Sequence, residues 1–140
     1  MRSSRPILLV DDDNAEMMTV KRALSELNVH NELVHHLDGE NALNYLRDDA
    51  NRNPCVILLD LNMPKMKGVD FLAAVKADAE LKQIPVIILT VSNDEDDKIK
   101  CFELCAAGYI VKPATYEEFI KAMDTLDAYW TLSELPFPDA

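Results

Sequence analysis

The chain has 140 residues, 49% of them apolar and 28% charged, and a formal net charge of -11; this length and balance describe one domain with a proper core rather than a disordered chain. The acid excess excludes non-specific binding to DNA or RNA, which needs clustered Lys and Arg. No apolar stretch reaches the roughly 20 residues of a membrane helix, and the opening "MRSSRP" has neither the h-region nor the cleavage site of a secretory signal.

"ILLV" at residues 7–10 is a strand-length apolar run that ends against Asp11, Asp12 and Asp13. Residues 14–27 follow with helical period, placing Met17, Val20, Leu24 and Leu27 on one face. "ELVHHL" at 32–37 reads as a weaker strand, and residues 39–47 as a helix carrying Ala42, Leu43 and Leu46. "CVILL" precedes Asp60, and residues 68–77 set Val69, Leu72 and Val75 on a helix face. "VIIL" precedes Thr90; residues 94–106 then offer Ile99, Phe102 and Cys105. "YIV" precedes Lys112, and the last helix begins near Thr115, an N-cap with Glu118 three residues on, and carries Phe119, Met123, Leu126 and Trp130.

Continuous rather than alternating apolar runs belong to strands buried on both faces, the mark of a parallel sheet. Strand and helix alternating along the chain give βαβ units with right-handed crossovers and helices on both faces. In such open sheets ligands bind beyond the carboxyl ends of the strands. Asp11, Asp12, Asp60, Thr90 and Lys112 all stand at strand ends and are expected on one rim.

Carboxylates gathered there repel: two unit charges about 4 Å apart cost about 4 kcal/mol at an effective dielectric of 20. A divalent cation resolves the conflict, and hard oxygen ligands suit Mg²⁺, which keeps several waters and shares positions with phosphate. A nucleophilic carboxylate, a metal, a lysine and a hydroxyl are together the equipment of phosphoryl transfer. The three cysteines form no framework and fit reduced thiols in the cytoplasm. Cys101 and Cys105, four apart, are expected as small buried hydrophobes. His30, His35 and His36 are expected far from the rim, without a role.

"LLVDDD", "LLDLNMPKMKG", "VIILTVS" and "AAGYIVKPA", in this order and at these separations, resemble the receiver domains of two-component response regulators over residues 5 to about 127. The resemblance implies a flavodoxin-like, doubly wound α/β fold, (βα)5, with strand order 2-1-3-4-5. It implies a receiver domain at 1–127 and a tail at 128–140 that extends the last helix. Asp60 would be the phosphoacceptor, attacking a phosphohistidine on a sensor histidine kinase. Asp11 and Asp12 correspond to the acidic pair; Asp12 and Asp60 would reach Mg²⁺ together with the backbone carbonyl of Asn62, with Asp11 completing the acidic site. Thr90 and Lys112 would hold phosphoryl oxygens, Thr90 and Tyr109 would be the switch pair, and Lys112–Pro113 would be a cis peptide. Asp13 would lie at the surface.

The sequence departs from that pattern at Val91, where the family most often has alanine or glycine; a β-branched side chain there is expected to narrow access to the pocket. With only "AYWTLSELPFPDA" after residue 127, output is expected through protein contacts. That tail is similar to the ends of response regulators encoded beside cyanobacterial phytochromes, which would make the kinase a phytochrome. Tyr129, Trp130, Leu132, Leu135 and Phe137 exceed what seals the helix, and apolar excess of this kind marks a homodimer contact. Three other readings stay open on the residues alone: an Mg-dependent aspartyl phosphatase, a flavin binder, and a degenerate receiver that binds partners without phosphorylation.

Overall fold

The computed structural model describes residues 3–134. Its strands are β1 (Ile7–Val10), β2 (Leu33–His36), β3 (Val56–Leu59), β4 (Val86–Thr90) and β5 (Gly108–Val111). The helices are α1 (Asn14–Glu26), α2 (Gly39–Arg47), α3 (Gly68–Ala77), α4 (Glu95–Glu103) and α5 (Tyr116–Leu132). All strand pairs are parallel and the sheet order is β2-β1-β3-β4-β5, as expected from the runs and the resemblance.

The continuous apolar runs have a simple cause, since each strand is covered twice. Leu8, Val10, Ile57, Leu59, Val86 and Ile88 pack against α2, α3 and α4. Their neighbours in sequence, Ile7, Leu9, Val56, Leu58, Ile87 and Leu89, pack against α1 and α5. Successive side chains point to opposite faces of a strand, so a strand apolar at every position requires helices on both sides. β2, at one edge, is only partly buried throughout, which is why its signal in the sequence is weaker.

Four of the five helices start behind short polar side chains that accept from orphan backbone amides, while α3 begins after Lys67 without a side-chain cap. Asp13 caps α1 through the Ala15 amide, Asp38 caps α2 through Asn41, Asp94 caps α4 through Asp96 and Asp97, and Thr115 caps α5 through Glu118. Helix ends are earlier than periodicity indicates where the chain turns left-handed. Asn28 (φ 58°) follows α1 and Cys105 (φ 65°) follows α4. The Ala106 amide then bonds back to the Cys101 carbonyl at 3.0 Å, closing the turn as left-handed helix caps do.

The inward face of α4 differs from the expected one. Cys101 is fully buried, whereas Ile99 and Phe102 are each 54% exposed and Cys105 is also exposed. At 100° per residue, Phe102 lies a quarter-turn from Cys101 and Ile99 beyond the opposite side. In a helix of only nine residues the apolar positions do not define a stripe, and the contact with the sheet decides. Burial, and secondarily the charge of Asp97, pushes the Cys101 thiol up to about 11.

α5 is longer and its stripe is unambiguous. Phe119, Met123 and Trp130 are buried, with Leu126 packed beside them against α1 and the sheet. Arg22 of α1 lies over the Tyr116 ring at 4.1 Å from its centroid, tying the two helices at their outer edge. Trp130 is therefore a core residue rather than a dimer contact: it continues the 119, 123, 126 stripe and retains 8% exposure. Tyr129 and Leu132, on the other side of the same turns, are 58% and 84% exposed. Leu135 and Phe137 lie outside the described residues.

Trp130→Ala is expected to destabilise the domain by about 3 kcal/mol or more, as aromatic truncations in a closed core do. Urea unfolding followed by far-ultraviolet circular dichroism measures it; a loss of well under half that figure would show that the terminal turns of α5 are not part of the cooperative core.

Candidate functional site

Strand register brings the rim together. Val10 pairs with His36 on one side and Leu59 on the other, so Asp11 and Asp60 stand side by side one residue beyond the ladder. The Asp60 amide donates to the Val10 carbonyl at 3.0 Å. Thr90 pairs with Val111, and the Lys112 amide donates to the Thr90 carbonyl at 2.7 Å. Four strands thus deliver Asp11, Asp60, Thr90 and Lys112 to one edge of the sheet. Asp12 follows on the loop.

One oxygen from each of Asp11, Asp12 and Asp60 lies within 4.8 Å of the others. Asp11 and Asp60 are buried while Asp12 is exposed. The Lys112 Nζ donates to Asp11 Oδ2 at 3.2 Å and stands 3.8 Å from Asp60 Oδ2. Asp11 Oδ1 accepts from the Asp13 amide at 3.0 Å. Burial raises the Asp11 carboxyl above the ordinary carboxylate range; the Asp13 amide and Lys112 oppose that rise, and Asp60 adds to it. For Lys112 burial works against the charged form, but Asp11, Asp60 and Glu16 together hold its ammonium above the usual value.

Glu16 was not anticipated. It sits 3.7 Å from Lys112, so carboxylates outnumber the single ammonium, and the surplus negative charge faces the open side where Asp12 projects. The signal was available in retrospect: α1 starts at the rim behind its Asp13 cap, which places its first turn over the lysine. These are hard oxygen donors, one of them exposed to solvent, and they fit a divalent cation that retains waters.

Other expected residues are distributed as follows. Asp13 is exposed and serves as the α1 cap. The Asn62 amide donates to Asp60 Oδ1 at 3.3 Å, which places the Asn62 backbone beside the acidic cluster. Thr90 is fully buried, and its Oγ1 accepts from the Ser92 amide at 3.4 Å. Val91, in contrast, is 65% exposed. The half-buried Tyr109 donates its hydroxyl to the Ser92 carbonyl at 2.9 Å, and Ser92 Oγ donates to Asp97 at 2.6 Å. Thr90, Ser92 and Tyr109 are therefore linked through the β4–α4 loop. No described peptide bond is cis, Lys112–Pro113 included; the lysine reaches Asp11 because strand register already aims it there.

Two further residues shape the rim without any carboxylate of their own. A Cβ on Gly68 would lie 2.5 Å from the Asp60 carbonyl oxygen and 2.6 Å from the Leu61 Cα. Backbone therefore passes where any side chain would stand, and only glycine lets α3 start directly beneath Asp60. His35 is also at the rim, contrary to expectation, with Nε2 2.7 Å from the Asp11 carbonyl oxygen. β2 neighbours β1, and that adjacency brings its last residues to the acidic loop.

The chain matches known proteins along most of its length. Residues 7–124 match the response regulator receiver domain. The chain is 35% identical over 128 residues to the response regulator Rcp1 of Synechocystis sp., covering 89% of this chain and 87% of that protein. Among solved structures, the phosphorylated cyanobacterial phytochrome response regulator RcpA superposes with a TM-score of 0.88 at 36% identity, over 95% of this chain and 99% of the other. The Mn(2+)-bound form of Rcp1 gives 0.87 at 34% identity with the same coverage. Among the described residues no helix is long and apolar enough to cross a membrane.

If the rim carboxylates hold a divalent cation, the metal relieves a repulsion that the unfolded chain does not suffer, and the melting temperature climbs with Mg²⁺ concentration. Asp12→Ala is expected to be more stable than wild type in EDTA and indifferent to Mg²⁺. An equal Mg²⁺ response in both proteins, by calorimetry, would place the cation elsewhere.

Proposed function

The chain belongs to the response regulator receiver family, and from that premise we propose that Asp60 accepts a phosphoryl group from a sensor histidine kinase, with the phosphorylated protein signalling through changed protein contacts. The observation that carries the assignment is the convergence of Asp11, Asp12 and Asp60, with Lys112 beside Asp11 and Asp60. A phosphatase or flavin-binding reading has no comparable support.

In the proposed reaction a carboxylate oxygen of Asp60 attacks the phosphorus of a phosphohistidine. The new P–O bond forms as the P–N bond breaks, and the imidazole leaves and takes up a proton. Mg²⁺, held by Asp11, Asp12, Asp60 and the Asn62 carbonyl, would supply the positive charge that lets an anionic nucleophile approach an anionic donor. Lys112 adds a fixed cation on the same side, and its bond to Asp11 keeps the ammonium pinned beside Asp60. Thr90, at the end of β4 on the same rim, would offer its hydroxyl to a phosphoryl oxygen. Once drawn toward it, Thr90 would pull the β4–α4 loop, to which Tyr109 is already bonded through Ser92. Water attacking the phosphorus would break the P–O bond to Asp60, release inorganic phosphate and restore the carboxylate, so the protein serves as its own phosphotransfer catalyst. Val91 at the exposed mouth would slow small donors.

The likeness to RcpA and Rcp1 supports a phytochrome as the kinase, and hence a cytoplasmic protein. A groove between α1 and the start of α5, lined by Glu16, Arg22, Lys112 and Tyr116 among others, opens beside the lysine and offers an approach for the donor histidine. The proposed homodimer uses Tyr129 and Leu132, the exposed apolar side chains of the last turns of α5.

Asp60→Asn is expected to abolish labelling by acetyl phosphate and by any histidine kinase, whereas Asp11→Asn retains the acceptor and is labelled slowly. Label persisting on Asp60→Asn would overturn the assignment and favour a receiver that works without phosphorylation. For the dimer, light scattering of the full chain at micromolar concentration is expected to give twice the 15.8 kDa of one chain. The double variant Tyr129→Ser, Leu132→Ser should return the monomer mass. A monomeric wild type, phosphorylated or not, would end the dimer proposal.

A further inference from the structure

We propose that His35 is a positioning residue for the acidic site: its imidazole fixes the Asp11–Asp12 peptide and thereby the direction in which Asp12 presents its carboxylate. The inference rests on Asp12 as a metal ligand and extends that reading to the edge strand.

The backbone bonding at the end of β1 creates the need. β1 and β2 pair as far as Val10 and His36, and the Asp11 amide still finds the His36 carbonyl at 3.1 Å. By Asp38, two residues further, β2 has ended and the chain is capping α2. The carbonyl of the buried Asp11 thus lies past the ladder, where a peptide group without a partner is costly. His35 Nε2 meets it at 2.7 Å. A carbonyl has only lone pairs to offer, so the ring nitrogen must donate and Nε2 carries the proton.

The reach of His35 follows from register. It pairs with Leu9, and neighbours in parallel register share a face. Leu9 belongs to the core layer under α1, so His35 rises along that side, beside Met17 and Leu33, and arrives at the rim from beneath α1.

Peptide planarity carries the effect to the site. The Asp11 carbonyl and the Asp12 amide lie in one plane, so holding the first sets the second. Asp11 has a carboxylate independently anchored by the Asp13 amide and Lys112. Asp12 is exposed, and its carboxylate takes its direction from the backbone. A residue at 35 that fills the same space without donating a hydrogen bond leaves the Asp11 carbonyl without that anchor and loosens the peptide that aims Asp12.

The test compares wild type, His35→Gln, His35→Leu and Asp12→Ala as full chains. Mn²⁺ affinity is measured by water-proton relaxation, and the His35 tautomer by nitrogen-15 spectroscopy of the ring. The expected wild-type ring is protonated at Nε2. His35→Leu is expected to weaken Mn²⁺ about tenfold, in the range seen when a partner behind a metal ligand is removed. His35→Gln, whose amide N–H can occupy the Nε2 position, should stay within about twofold of wild type on the same scale. Wild-type affinity in His35→Leu, equal weakening in both variants, or a ring protonated at Nδ1 alone would each overturn the proposal. Asp12→Ala separates the two levels. If it binds Mn²⁺ as wild type does, the metal assignment fails; if it loses Mn²⁺ while His35→Leu keeps it, only the role of His35 fails.

Discussion

Like charges held close at the end of a parallel sheet are the constraint on which the rest of this structure depends. The sheet has to terminate β1 and β3 in the same plane, and both strands end in aspartate. The fold answers with Lys112, delivered from β5 across two intervening strands, and with amides from Asn62 and Asp13 turned onto the carboxylates. The lysine's answer is partial, because Glu16 claims part of the same ammonium. The domain is therefore built with surplus negative charge at one rim.

Helices then divide into two kinds. α1 and α5 cover one face with stripes long enough to set their own orientation, and Arg22 on Tyr116 closes the edge between them. α4 is short and weakly anchored, with Cys101 its only buried residue and Ile99 and Phe102 facing outward. Its first turn nevertheless receives the Ser92–Asp97 bond from the loop that follows Thr90. The least anchored helix is thus the one tied to the loop that follows Thr90.

Much of this was legible in the sequence because it depends on local chemistry. Thr115 is a cap by residue type and position, and uninterrupted apolar runs could only be strands covered on both sides. The parts that resisted are those set by neighbours distant in sequence. His35 looked remote because β2 has weak apolar character, and nothing in "LVHH" states which strand lies beside it. Gly68 was visible as a glycine near a helix start, but the backbone passing 2.5 Å from its absent Cβ is a fact of tertiary packing. Trp130 fitted two descriptions, as the next step of a helical stripe and as part of an apolar tail. Only the length of α5 decides between them.

The burial of Trp130 also determines what light can report about this protein. It is the single tryptophan of the chain, and it lies fifteen residues beyond the Thr115 cap, roughly 20 Å along the helix from the rim. Its emission comes from the far end of the α1–α5 layer, with the Tyr129 ring 5.1 Å away as a built-in energy donor. The chromophore thus follows the integrity of that layer and is blind to events among the carboxylates. An optical view of the rim requires a second fluorophore placed there by substitution.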